Sequence, residues 1–189
     1  MTQNKLQTTA FGEALYPYLI EPDYAFKSEG LYHLKLVMTK EEAQPDIEVI
    51  NQVIAREIEE GRKNNPPREI KRAPLPYEIM DDGNVKFNFK LRASGINKTT
   101  GKSFTQKPRV VDHNLDDLPA DKNIWSGSIL RVNYEPIGYN VASTGIGATL
   151  RLKGVQIKKL VEGSLGGAVG FDKVEPIISS LPEPTEGGF

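Results

Sequence analysis

The 189-residue chain contains no cysteine. Disulfide staples, thiolate metal sites and thiol nucleophiles are therefore excluded, and the fold needs no oxidising compartment. Histidine is almost as scarce. His33 and His113 are the only two, neither belongs to a metal-spaced motif, and both are read as structural. No run approaches the ~20 apolar residues needed to span a bilayer, and Met1 to Thr9 lacks the hydrophobic stretch of a secretory signal. A soluble, cytoplasmic protein without membrane contact is expected. A more local absence is more informative: between Gly83 and Val111 there is no acid, although the whole chain has a formal net charge of only -1.

That acid-free stretch holds seven cations, Lys86, Lys90, Arg92, Lys98, Lys102, Lys107 and Arg109, so the remainder of the chain carries -8. Charge is segregated, which suits a defined electrostatic groove for a polyanion better than diffuse attraction. The stretch opens with strict alternation from Val85 to Arg92. A strand repeats every two residues, so Val85, Phe87, Phe89 and Leu91 form an apolar wall and Lys86, Asn88, Lys90 and Arg92 a polar, cationic face.

The same reasoning organises the rest of the chain. Phe11 to Ile20 reads as a short strand or packed arm, and Leu31 to Met38 as a strand with Tyr32, Leu34, Leu36 and Met38 on its apolar side. Thr39-Lys40-Glu41-Glu42 has the form of a capping box before the stripe Ala43, Ile47, Ile50, Ile54 and Ile58, predicting a helix to about Gly61. Pro45 lacks an N–H, so the spacing places the start nearer Gln44. Arg62 to Tyr77, with four prolines, reads as a loop and not a strand. Further strands are expected from about Ser128 to Glu135, with Leu130, Val132 and Tyr134 inward, and from Ala148 to Leu160. In the latter the apolar series changes phase at Gly154, as one extra residue at a bulge would produce.

Five or so strands, one helix and glycine-marked bends predict a mainly β fold: a five-stranded, OB-like, partly open barrel with one inserted α-helix and a flexible C-terminal tail. A sandwich with a docked helix is the competing architecture. The expected organisation is a flexible N-terminus over residues 1–10, a barrel domain over 11–162 and a Gly/Pro-rich tail over 163–189 with a net charge of about -3.

Chemistry at a catalytic centre has little support. Asp112-His113 with Asp116-Asp117 lacks calcium-loop spacing, and Thr144-Gly145-Ile146-Gly147-Ala148 lacks the lysine and following helix of a phosphate loop. That glycine segment is read as a turn into the last strand. No metal, cofactor or enzymatic activity is assigned. Single-strand binding, by contrast, needs cations that track phosphates and aromatic faces on which bases stack. Phe104 lies in the acid-free loop Ser94 to Gln106, Tyr77 ends the basic Pro-rich loop, and Tyr139 sits in the turn Pro136 to Tyr139; these are the candidate stacking residues. Trp125 is assigned to packing, as are Phe87 and Phe89. Arg131, Arg151 and Lys153 are strand-face candidates beside the seven cations.

Tyr16-Pro17-Tyr18-Leu19, Glu29-Gly30-Leu31-Tyr32, Ile124-Trp125-Ser126-Gly127-Ser128, Gly145-Ile146-Gly147-Ala148-Thr149-Leu150 and Leu152-Lys153-Gly154-Val155-Gln156 resemble single-stranded-DNA-binding proteins of tailed bacteriophages. The resemblance runs from about Phe11 to Glu175. It implies an OB barrel that coats single strands without sequence preference during replication, recombination or repair, as a monomer or homodimer. It also implies an acidic tail, here Glu183, Glu186 and the terminal Phe189, that contacts replication proteins such as a DNA polymerase. An RNA-binding or chaperone module, and a protein-interaction component docking an acidic partner on the basic face, are the alternatives.

Overall fold

The computed structural model describes residues 5–25, 27–64, 71–119 and 121–161. In chain order the elements are β1 (Gln7–Thr8), β2 (Gly12–Asp23), β3 (Leu31–Met38), α1 (Lys40–Asn64), β4 (Tyr77–Ile79), β5 (Val85–Arg92), β6 (Ser94–Ile96), β7 (Ser103–Thr105), β8 (Arg109–Val111), β9 (Ile129–Val141) and β10 (Gly145–Lys159). Strands β2, β3, β5, β10 and β9 are hydrogen-bonded in that order, and β9 pairs back onto β2. This ring is the five-stranded OB-like barrel that the alternation predicts, where a sandwich would keep two separate sheets. It closes through thin seams: only Gly12 and Glu13 bridge β2 to β9, and only the pairs Leu150–Phe89 and Arg151–Lys90 join β10 to β5, in parallel. Two of the added strands decorate the rim, with β4 on β5 and β8 on β10.

The inward sets are those of the sequence pattern. Tyr32, Leu34, Leu36 and Met38 meet Val85, Phe87, Phe89 and Leu91 and Leu130, Val132 and Tyr134 in one core. The phase change in β10 is a register shift between Leu152 and Gly154, where Lys153 is the unpaired extra residue. Gly145 turns the chain into β10 at φ +100°, and a Cβ there would stand 2.5 Å from the Lys71 carbonyl oxygen. Only glycine fits this close approach.

Several expectations are corrected. The helix starts at Lys40, not near Gln44: Glu42 N–H donates to Thr39 Oγ1 at 3.3 Å, and Thr39 donates back to the Glu42 carboxylate through its hydroxyl at 2.9 Å. Pro45 is tolerated within the helix because it sits on the exposed face, where the Glu41 carbonyl deprived of its partner is open to water. The N-terminal segment is not free along its length, since Gln7 and Thr8 pair with Tyr134 and Asn133 and Thr9 is buried. The Pro-rich loop is shorter than expected, because α1 continues to Asn64 and β4 begins at Tyr77. Strand β9 runs on to Val141, and the acid-free loop folds as the hairpin β6–β7. The expected tail lies outside the described residues.

One buried polar contact joins the helix to the barrel. Tyr134 Oη donates to Asp46 Oδ1 at 2.6 Å, with both residues buried. Burial raises the Asp46 carboxyl above its ordinary value, and the Tyr134 bond opposes the rise only in part. The native state thus holds this proton more tightly than the unfolded chain does. The corresponding stability is fully present below about pH 4 and is lost as pH rises through the raised native value. Asp46→Asn keeps an acceptor for Tyr134 and removes the titration. Thermal melts from pH 4 to 7 should show the variant gaining on the wild type as pH rises. Tyr134→Phe leaves the buried carboxyl without its donor and should cost about 1–3 kcal/mol in denaturant unfolding at neutral pH.

Candidate nucleic-acid interface

The outer side of β5 is read against its neighbours by register. Across β3 and β5, Leu31 lies opposite Arg92, His33 opposite Lys90, and Lys35 opposite Asn88. On the other edge of β5, Lys90 lies beside Arg151. A lateral row His33–Lys90–Arg151 therefore crosses three strands, and Lys90 is its centre. At the Arg92 end the row opens into a groove of about 610 Å³ that gathers Lys27, Lys90, Arg92, Lys98, Phe104 and Arg151.

Lys90 and Lys98 have no carboxylate partner among the described residues, and neither do Lys102 and Lys107. Arg92 reaches Glu29 only at 4.0 Å, and Arg151 reaches Glu135 at 3.6 Å. Such exposed pairs are weak and are readily exchanged for a phosphate. Phe104 forms one wall. It pairs with Gly95 across the hairpin, and a Cβ at residue 95 would stand 3.0 Å from its ring. The glycine lets one ring face lie on the backbone while the side chain stays 36% exposed. Phe104 thus belongs neither to the core nor wholly to solvent.

Other candidate residues lie elsewhere. Arg109, Arg131 and Lys153 line a second groove of about 360 Å³ over β8, β10 and β9. There Arg109 is engaged with Asp117 at 3.0 Å, Lys153 with Glu135 at 3.1 Å, and Arg131 donates to Gln156 Oε1 at 2.8 Å while its guanidinium covers the Phe11 ring. Lys107 faces a recess with Tyr24 and Tyr32, and Lys102 stands at the exposed hairpin turn. Lys86 is only 19% exposed and is held by Glu78 at 2.9 Å. Tyr77 packs its ring against Phe87 at 5.7 Å, and Tyr139 lies half-buried where Gly147 leaves room for its ring. Neither tyrosine enters the first groove. Glu183, Glu186 and Phe189 lie outside the described residues.

The expectation for Trp125 is overturned: its side chain is 49% exposed. It shares a recess with Tyr16 and Tyr18, which the sequence reading did not select. The signal was Pro17, since a proline within a strand marks a bulge or an edge where side chains are re-aimed. His33, expected to be structural, stacks on Tyr18 and lies 3.3 Å from Asp23. The Asp23 carboxyl is held below its ordinary value chiefly by the Ala25 N–H, and also by His33. Among the described residues no group of three or more His, Asp or Glu could hold a metal ion, and no helix is long and apolar enough to cross a membrane.

A search of curated proteins gave no match. Among solved structures, gp2.5, a single-stranded DNA binding protein encoded by bacteriophage T7, superposes with a TM-score of 0.71 at 28% identity, covering 87% of this chain and 91% of that one. The single-stranded DNA-binding protein of bacteriophage Enc34 shares the fold at 18% identity with a TM-score of 0.54, covering 88% of this chain and 87% of that one. Its complex with single-stranded DNA matches with the same TM-score of 0.54 over 83% of this chain and 88% of that one. The family model for the single-stranded DNA-binding protein of bacteriophage T7 matches residues 12–160. That span takes in all five barrel strands, and the chain belongs to this family of phage single-stranded DNA-binding proteins.

Proposed function

We propose that the chain binds single-stranded DNA without sequence preference, along the outer face of β3, β5 and β10, and protects it during phage replication, recombination or repair. The observation that carries this reading is the lateral row centred on Lys90, a cation with no partner among the described residues, next to a groove walled by Phe104. Phosphates take the cations and a base takes the open ring face; none of these contacts reads base edges. The reading is of a binding protein, supported by a charged, solvent-open groove and by the family's character. The second groove with Arg109, Arg131 and Lys153 is secondary, because its cations are already engaged. Recruitment of replication proteins through Glu183, Glu186 and Phe189, and a monomeric or dimeric state, rest on the sequence resemblance.

Lys27, Lys90, Arg92, Lys98 and Arg151 line the groove. If each neutralises one phosphate, log affinity should fall against log salt with a slope of roughly -3.5, from about 0.7 per phosphate on a single strand. Anisotropy titrations of a labelled oligonucleotide at several salt concentrations measure it, and a salt-insensitive affinity would sink the proposal. Lys90→Glu should weaken binding and flatten the slope, whereas Arg109→Glu in the second groove should change affinity far less. Phe104→Ala should weaken binding by ~1–3 kcal/mol with an unchanged salt slope and melting temperature. Competition by a matched RNA oligomer, equal to DNA or better, would instead favour the RNA-binding alternative.

A further inference from the structure

Strand β2 carries an irregularity midway along its length. Its register against β3 shifts between Leu15 and Tyr18, and Tyr16 sits in the left-handed region at φ +49°. A bulky residue in that region is strained, and such strain persists where surrounding structure holds it, commonly at binding sites. The result here is to turn Tyr16 and Tyr18 outward, leaving them 65% and 45% exposed. The strain is held from outside the strand, because Tyr16 N–H donates to Ser126 Oγ at 2.9 Å. That bond ties β2 to the segment carrying Trp125. Three exposed aromatic side chains thereby line one recess of about 380 Å³.

The recess is continuous with the cationic face. Tyr18 stacks on His33 at 4.9 Å between ring centroids, and His33 is the register partner of Lys90. Tyr16 lies under the Lys35 ammonium at 5.7 Å, and Lys35 is the partner of Asn88. Outward residues two apart on a strand are separated by ~6.6 Å, so the Phe104 groove and this recess are successive stations along one surface. The row Arg92–Leu31 ends on Asp23, which lies 3.3 Å from His33, and Glu21 lines the recess; the rows Lys90–His33–Tyr18 and Asn88–Lys35 themselves carry no carboxylate.

We propose that Tyr16, Tyr18 and Trp125 form a base-stacking platform, a second subsite for the same single strand, so that a bound strand leaves the Phe104 groove, crosses Lys90 and His33 and ends on this recess. This deepens the single-strand reading and rests on it. Exposed aromatic faces beside free cations match the two needs of a single strand, and stacking is tolerant of base identity. Lys35 over Tyr16 supplies a phosphate partner next to the ring, so one nucleotide can be held at both its base and its backbone.

The test uses the full chain. Trp125 is the only tryptophan, so selectively excited tryptophan emission reports on this recess alone, while anisotropy of a labelled oligothymidylate reports binding anywhere. With an unlabelled oligothymidylate of about 20 nucleotides, longer than the ~4–16 nucleotides a single OB domain occupies, Trp125 emission should be quenched with the midpoint seen by anisotropy. Tyr16→Gly, which suits the left-handed backbone, and Tyr18→Leu should each lower affinity by about five- to a hundredfold, with unchanged salt slope and melting temperature. Trp125→Ala, at an exposed loop position, gives an independent arm with the same expected loss. Binding by anisotropy with a silent Trp125 and wild-type affinity in all three variants overturns the platform and leaves the Phe104 groove standing. Absence of binding at low salt overturns the groove reading, and the platform with it.

Discussion

Two residue pairs join β5 to β10, and both the interior and the proposed binding face depend on them. Phe89 with Leu150 closes the core, and the next pair, Lys90 with Arg151, sets two cations side by side outside. Because side chains alternate with period two, the register that buries the first pair must expose the second. A slip by one residue would carry Lys90 inward against Phe87 and Tyr134, an unpaired charge in an apolar core. Hydrophobic burial therefore enforces the cationic row, and no separate device is needed to place it. The two cations repel each other in the free protein, and part of that cost is offset by Glu135 beside Arg151. In the proposed binding mode, a polyanion relieves the rest.

The helix is tied to this barrel by an unlike kind of contact. Its apolar stripe, Ala43, Ile50, Val53 and Ile54, packs on the core, but Asp46 on the same face presents a carboxyl to Tyr134. Apolar packing leaves a helix free to rotate or slide by small steps at little cost. A short hydrogen bond between two buried groups does not, so this pair fixes where α1 sits along β9 and β10.

Where a feature is set within a few residues, the sequence was readable. The inward residues of β3 and β5, the capping box at Thr39 and the bulge at Gly154 all follow from local spacing. So did the turn at Gly145. What escaped depends on distant partners. Pro45 could be accepted inside α1 only because its side faces solvent. Lys86 and Lys90 are alike in the sequence, yet Glu78 from another strand engages one and nothing among the described residues engages the other. Tyr77 became part of the wall because β4 docks on β5. Trp125 and Tyr16 became exposed through a hydrogen bond spanning 110 positions. Spacing gave the cations and Phe104, and pairing across the barrel decided which of them share a groove.

Glu135 stands between the two grooves. Its carboxylate is 3.6 Å from Arg151 on one side and 3.1 Å from Lys153 on the other, so a single counter-charge serves both. An anion that draws Arg151 away leaves Glu135 wholly to Lys153, and an anion on Lys153 leaves it wholly to Arg151. If both grooves take anions, as proposed, occupancy of either would disfavour the other, and by thermodynamic linkage the penalty would be mutual. Its size is that of a partly exposed ion pair, up to about 1 kcal/mol, enough to bias one strand toward a single path without forbidding the second.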